Sequence, residues 1–530
     1  GIQNLIKDNR NRLQGSWENG KYDTVAATGR NLYTYLDIEL QQLAEKLMTN
    51  KVGSIVAIDP QTGGILAMVS GPSFDPNDLT GSTRRGKYAS LALDVSAPLM
   101  NRATRGLYEP GSTFKPIGGL VALDMGVITA NYGVACSGAY HGCAKLIRCE
   151  HRNPGHAANM RLALANSCNS YFCQIYRLSL DNNKDRGVKK GYTRWKDYMN
   201  AFGWGQRLGV DLPNELPGNI PDTTEYNKDY RGSWNSCTNV TLGIGQDKMQ
   251  VTPVQLANAM CIIANKGFYY TPHFVEKIEN ETTKDTLLNK FREKHAALTH
   301  ISDNDYEIIH AGMQDVVESG TARSARIPGI SICAKTGTSE KYTILDGKRI
   351  KLPNNSMFVC FAPRENPKIA IAVAVENAGF GSTWASPIAS FLIEKYLTDS
   401  IRTDRMKEVE RISNTNLMPS YLKRKQFIAD STRAYFYFNL RKDSSYIKRY
   451  LRGYTNNEKK PVKTIQPVKV KTVTDSTKRI TDKAIQKHQD SSAGNTVSDK
   501  EIIHIKKPVR KHEEEWYISD EKHLKNQSAR

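Results

Sequence analysis

No stretch of this chain approaches the ~18–20 uncharged apolar residues that a membrane span requires. The longest apolar runs, around Ile369–Val375 and Ile388–Leu392, have the length of a strand or a short helix. There is no initiator Met and no leader with a charged start followed by an apolar run. The chain opens at Gly1-Ile-Gln-Asn-Leu5, so we expect a fragment or processed product, with any anchor lying upstream. No internal period repeats, which excludes solenoids and arrays. Basic surplus is also missing where it would matter to a nucleic-acid enzyme. Of the formal +20, residues 401–530 carry +14 (30 Lys+Arg against 16 Asp+Glu), leaving the first 400 residues close to balance. A nucleic-acid enzyme should concentrate that charge around its working site. A basic C-terminal region instead suits contact with something anionic, such as a membrane surface or an acidic polymer.

What is present is enough for a substantial core. Residues 36–48 place apolar side chains at helical spacing. Residues 53–59 and 64–70 are two apolar strands joined by Pro60-Gln-Thr-Gly63 as a tight hairpin. Three more strands are expected at 329–336, 356–362 and 368–376, with a closing helix at 387–397. The expected fold class is α+β: a mainly antiparallel five-stranded sheet flanked by helices, with a helical subdomain inserted at 77–328. Residues 1–35 read as the end of an accessory region and a linker. The domain proper is expected over 36–400, a basic and partly helical extension over 401–452, and a disordered basic tail over 453–530.

The chain turns on Tyr108-Glu-Pro-Gly-Ser112-Thr-Phe-Lys115-Pro. Pro110-Gly111 reads as an entry turn, and a helix starting near Ser112 puts Ser112 and Lys115 on one face. A serine hydroxyl is a poor nucleophile unless a neighbouring base activates it. By itself an S-x-x-K tetrad is a common pairing on an amphipathic helix. Two more motifs follow in order. Ser167-Cys-Asn169 carries S-x-N 55 residues on, and Lys335-Thr-Gly337-Thr338 carries K-T-G-T 223 residues on. Singly, the first could cap a helix and the second could end a strand. Together, in that order and each in the right local structure, they go well beyond chance spacing.

In this set the chain resembles the class B penicillin-binding proteins, members of the serine D,D-transpeptidase and β-lactamase superfamily. The resemblance covers roughly 36–400 and includes Leu242-Gly-Ile-Gly-Gln246, Val251-Thr-Pro-Val-Gln-Leu-Ala257 and Phe358-Val-Cys-Phe-Ala-Pro363. Gly209-Val-Asp-Leu-Pro-Asn-Glu215 points within the class to the elongation-type enzymes. Asp247 departs from the pattern, which has a Gly there. The resemblance implies a peptidoglycan D,D-transpeptidase that needs no catalytic cofactor and is acylated by β-lactams. It implies a periplasmic location at the inner membrane and a membrane-embedded glycan polymerase as partner. Ser112 is then the nucleophile toward a stem peptide ending in D-Ala. Lys115 is the base, its pKa lowered by Lys335 and partial desolvation. Ser167 relays the proton and Asn169 holds Lys115 and the substrate amide. Lys335, Thr336 and Thr338 bind the terminal carboxylate, while Gly337 lets substrate approach the strand edge. The N–H groups of Ser112 and Thr338 form the oxyanion hole. The alternatives are a β-lactam-binding sensor and a serine β-lactamase.

Two features stand beside the motifs. Glu215-Leu-Pro-Gly-Asn219 has the spacing of a deacylating glutamate, but its Pro-Gly core favours an ordinary turn. Nine cysteines cannot all pair within one chain. Cys173, Cys237, Cys261, Cys333 and Cys360 are expected as buried thiols. Cys136, Cys149, His156 and Cys168 are candidate ligands of a tetrahedral structural zinc beside the S-x-N motif. A disulfide among Cys136, Cys143 and Cys149 is the competing expectation.

Overall fold

The structure is a computed structural model that describes residues 1–454 except 27, 151, 152, 183, 185, 186, 283, 284 and 346. From residue 455 onward, the tail expected to be disordered lies outside the described residues. A five-stranded antiparallel sheet organises the chain: β1 (Gly53–Ile58), β2 (Ile65–Gly71), β3 (Cys333–Leu345), β4 (Lys348–Ala362) and β5 (Ile369–Val375). Its order is β3-β4-β5-β1-β2, so β3 is an edge strand. Early and late sequence meet where β5 pairs with β1, Ala370 opposite Ile58 and Val375 opposite Gly53.

Strict alternation along these strands gives the sheet two apolar faces. Val56, Ile58, Met357, Val359, Ala370 and Ala372 enter one core. Ile55, Ala57, Phe358, Cys360, Ile369 and Ile371 enter the other. The second core is covered by α1 (Ile38–Met48) and α7 (Ala385–Thr398), through Leu40, Leu47, Ile388 and Leu392. The first core takes α2 (Lys115–Asp124), α3 (Met160–Ala165), α4 (Asn169–Leu180), α5 (Pro253–Ala264) and α6 (Asp303–Glu318). Every residue of α5 is buried. It starts where Thr252 and Gln255 close a reciprocal cap around Pro253, whose missing N–H has no partner to lose at that position. Burying side chains such as Leu256, Ile262 and Ile263 contributes about 1.5–3 kcal/mol each.

The structure extends two expectations. β3 and β4 run past the sheet as a long arm, well beyond the strand expected at 329–336. Alternating apolar residues in the arm are too sparse to bury: Tyr342, Ile344 and Ile350 stay exposed. Cross-strand polar contacts hold it instead, with Arg349 over the Tyr342 ring at 4.0 Å and Lys351 2.6 Å from Glu340. Within the extension expected to be partly helical, α8 (Ser420–Arg441) and α9 (Ser445–Leu451) form a helical pair. Near the N-terminus, Leu32–Thr34 pairs with Val275–Ile278 and ties the first residues to the insert.

Candidate active site

The S-x-x-K segment begins as one 3-10 turn, Gly111–Phe114, and continues as α2 from Lys115. Pro116 sits where the helix needs no N–H donor. Gly111 takes φ +56°, and its N–H donates to the Gly245 carbonyl at 2.8 Å. A Cβ on Gly111 would lie 2.7 Å from the Thr338 carbonyl oxygen, and one on Gly245 would lie 2.2 Å from the Gly111 oxygen. Three backbones therefore meet at Ser112: its own turn, the Leu242–Gln246 loop and the edge strand β3. Ser112 and Thr338 remain partly exposed at this junction.

Lys115 is fully buried, with its Nζ 2.6 Å from the Ser167 carbonyl, 3.0 Å from Ser167 Oγ and 2.6 Å from Asn169 Oδ1. The amine also lies 5.5 Å from the Phe172 ring centroid. The carbonyl and amide oxygens only accept, so they take two N–H bonds. The Ser167 hydroxyl can accept a third or donate to a neutral amine. The cradle thus serves both protonation states. Burial lowers the Lys115 pKa from 10.5 to about 8. Here the structure corrects the sequence argument: desolvation is the main cause, and Lys335 is not among the leading ones. The repulsion appears on the other partner. Lys335, also buried, is pushed well below its usual value by desolvation and then by Lys115.

β3 explains the K-T-G pattern by its alternation. Cys333 faces the helical core and Ala334 the opposite one. Lys335 therefore points beneath α2, and its Nζ reaches the Thr336 carbonyl at 3.2 Å. The Thr336 hydroxyl sits 2.7 Å from Thr321 Oγ1, a residue the motif reading missed because no spacing rule links it to β3. A Cβ on Gly337 would meet Thr113 Cγ2 at 2.6 Å and the Pro110 oxygen at 3.1 Å, so the missing side chain makes room for the Gly111–Phe114 turn.

S-x-N sits on a strained corner. Ser167 adopts φ +54°, uncommon for a residue with a Cβ, and Asn169 opens α4. Asn169 Nδ2 donates to the Arg148 carbonyl at 2.7 Å, tying this corner to the cysteine loop. Three of the four expected ligands converge there, with Cys149 beside two of them. Donor atoms of Cys136, His156 and Cys168 lie within 4.8 Å of one another. Cys149 Sγ is 3.5 Å from Cys136 Sγ and 4.0 Å from Cys168 Sγ. Around a tetrahedral zinc with Zn–S near 2.3 Å, sulfurs stand about 3.8 Å apart, so this set fits the ion. The Cys149 sulfur takes bonds from Cys168, from the Ser170 hydroxyl at 3.3 Å and from the Ser170 N–H at 3.2 Å. These pull its pKa down to about 4, while sharing with Cys149 pushes Cys168 up. His156 Nδ1 lies 2.6 Å from the Asn153 carbonyl.

Two cysteine expectations change. Cys237 is not a buried thiol but is disulfide-bonded to Cys143, 94 residues away, and this replaces the bridge expected among 136, 143 and 149. Its polar, exposed turn beside Gly142 gives a thiol no apolar shelter, and spacing could not disclose so distant a partner. Glu215 behaves as a turn clamp: its carboxylate accepts N–H bonds from Leu208 at 2.8 Å and Gly209 at 2.9 Å. Asp247 holds φ +80°, a conformation natural to glycine, and accepts the Tyr226 hydroxyl at 2.8 Å. Glu109, three residues before the nucleophile, is pushed up to about 7 by burial and then by Asp247 and Glu340. Nothing in the residue pattern had singled it out.

Comparison with known proteins agrees with this geometry. The family model described as the penicillin binding protein transpeptidase domain matches residues 53–394. The chain is 34% identical over 371 residues to the peptidoglycan D,D-transpeptidase MrdA of Acinetobacter baumannii, covering 67% of this chain and 52% of that one. It is 32% identical over 369 residues to MrdA of Escherichia coli, covering 67% and 56%. Among solved structures it resembles Pseudomonas aeruginosa PBP2 in complex with WCK 5153, with TM-score 0.60 and 32% identity over 71% of this chain and 81% of the other. It also resembles PBP2 in its complex with MreC from Helicobacter pylori, with TM-score 0.59 and 26% identity over 74% and 68%. The chain spans about half the length of the curated relatives it matches.

Proposed function

Because the chain belongs to the penicillin-binding protein transpeptidase family, we propose that it is a peptidoglycan D,D-transpeptidase that cross-links stem peptides during cell elongation. The observation that carries this reading is the buried Lys115 amine, bonded to Ser167 and Asn169 one helical turn from Ser112. A lysine held near pKa 8 has a sizeable neutral fraction at physiological pH and can accept the Ser112 proton. The Ser112 oxygen attacks the carbonyl carbon of the penultimate D-Ala. The Ser112 and Thr338 N–H groups hold the oxyanion, a reading supported by the close approach of the Gly111 backbone to Thr338. Collapse breaks the bond to the terminal D-Ala, whose amine takes the proton from Lys115 through Ser167. Donor substrate lies along the free edge of β3 as an added strand. Lys335, Thr336 and Thr338 receive its carboxylate. An amine of a neighbouring stem peptide then attacks the acyl carbon and gives a proton to the Lys115–Ser167 pair; collapse breaks the bond to Ser112, whose oxygen takes that proton, and leaves the new amide cross-link. β-Lactams acylate Ser112 by the same first step. In the elongation reading the enzyme works on the periplasmic face of the inner membrane with a membrane-embedded glycan polymerase.

A structural zinc held by Cys136, Cys149, His156 and Cys168 completes the proposal. With Nδ1 engaged at the Asn153 carbonyl, His156 offers Nε2 to the ion. The ion braces the corner, since Cys168 lies between Ser167 and Asn169, and takes no part in bond-making. Fluorescent-penicillin labelling followed by mapping of the modified residue tests the enzyme assignment. Ser112 should carry the label, and Ser112→Ala should lose it; undiminished labelling of that variant would falsify the assignment.

A further inference from the structure

Helices α8 and α9 play no part in the acyl-transfer chemistry, yet they carry a distinctive surface. Residues 420–454 include nine Lys and Arg against two Asp. Both acids are occupied within the pair: Asp430 takes Arg433 at 2.9 Å, and Asp443 takes the Ser445 N–H at 2.8 Å and its hydroxyl at 2.6 Å. α8 is fastened along one side. Its Gln426 accepts the Val95 N–H at 2.9 Å, and Phe427 and Ala434 are buried. Its far end is presented outward, where Tyr435, Phe436 and Leu440 are 51%, 61% and 65% exposed. Phe436 and Leu440 are four apart and share a face. Beside them, Tyr437 stacks on Tyr446 at 5.3 Å, and Arg441 and Arg449 lie over the Tyr446 ring at 5.9 and 5.4 Å.

Cations alone would suit any polyanion, and an exposed Phe–Leu pair alone would suit any apolar groove. The two together, on an outward-facing helix end ringed by tyrosines, match one occupant. An anionic bilayer gives the cations headgroup phosphates, the tyrosines an interfacial layer and the Phe–Leu pair the acyl boundary. A soluble acidic polymer would satisfy the cations and leave Phe436 and Leu440 in water. We propose that α8–α9 is a membrane-surface contact that docks on anionic phospholipid through Tyr435, Phe436 and Leu440, flanked by Arg441, Lys442, Lys448 and Arg449. It would hold the domain against the bilayer independently of the acyl-transfer reading.

The test is co-sedimentation of the full 530-residue chain with phosphatidylglycerol–phosphatidylcholine vesicles and with pure phosphatidylcholine vesicles. Binding should require the anionic lipid and weaken as salt rises. The double variant Phe436→Ser/Leu440→Ser should lose at least about tenfold in vesicle affinity. A circular dichroism melt would check that its fold is intact, and Arg441→Gln/Lys442→Gln/Arg449→Gln should give a loss of similar size. Failure to bind vesicles overturns the proposal. So does anionic-vesicle binding that the Phe436/Leu440 variant leaves unchanged, since charge alone would then account for it. Capture by a soluble polyanion without vesicle binding points to a polymer and overturns it equally.

Discussion

The buried amine of Lys115 makes the acylation rate a titration curve. With a pKa of about 8, the neutral, proton-accepting form is roughly one molecule in eleven at pH 7 and one in a hundred at pH 6. The second-order rate of Ser112 acylation by penicillin should rise about tenfold from pH 6 to 7 and about fivefold from 7 to 8, then level above 9. Stopped-flow quenching with a fluorescent penicillin reads this directly. Lys115→Arg keeps a cation at the site but cannot become a base near neutrality. That variant should acylate about 10²–10⁴-fold more slowly and lose the rising limb. Glu109→Gln removes the other group near the nucleophile that titrates near neutrality and should keep the limb. A rate constant from pH 6 to 9, or a limb centred near the ordinary lysine value of 10.5, would refute the reasoning. The same shift acts on stability. Above pH 10.5 the amine is neutral folded or unfolded. As pH falls through 10.5 toward 8, only the unfolded chain gains the proton, and stability drops by about 3 kcal/mol by linkage.

Gly337→Ala places a methyl 2.6 Å from Thr113 Cγ2. It should destabilise the fold by about 1–3 kcal/mol in urea titration and slow acylation with it. Breaking the Cys143–Cys237 bridge by Cys237→Ser releases a 94-residue span; about 4.7 kcal/mol should be lost in the chain-entropy view, measured as the difference in unfolding free energy between the variant and the unsubstituted chain. Purified chain should contain one zinc per molecule by elemental analysis. Chelation should lower its melting temperature, and Cys168→Ser should lose the metal before it loses secondary structure. Metal-free protein with Cys136 joined to Cys149 would count against the ion.

The sheet was readable because both of its faces are buried and its strands are short apolar runs of strand length. The arm at 339–355 was not, since its stability comes from cross-strand pairs such as Glu340–Lys351 rather than from burial. Motif order brought Ser112, Lys115, Ser167, Asn169 and Lys335 to attention, and the structure brings Lys115 against Ser167 and Asn169. Spacing carries no information about which group shifts a pKa. Desolvation depends on what packs above Lys115, including Phe172, and that is tertiary. Thr321 and the Cys143–Cys237 bridge escaped for the same reason, being contacts between distant segments with no local pattern.

The pairing of β5 with β1 sets the order of events during synthesis. Residue 58 waits for residue 370 before the sheet can close, and the edge strand bearing Lys335 joins only through β4 and β5. Until then α2 has no sheet to lie on, and Lys115 stays wet, charged and inert as a base. Such long-range closure is slow, and it leaves the early hairpin's edge unpaired in the meantime. A chain truncated before β5 should therefore carry Ser112 and Lys115 in sequence and be blind to penicillin.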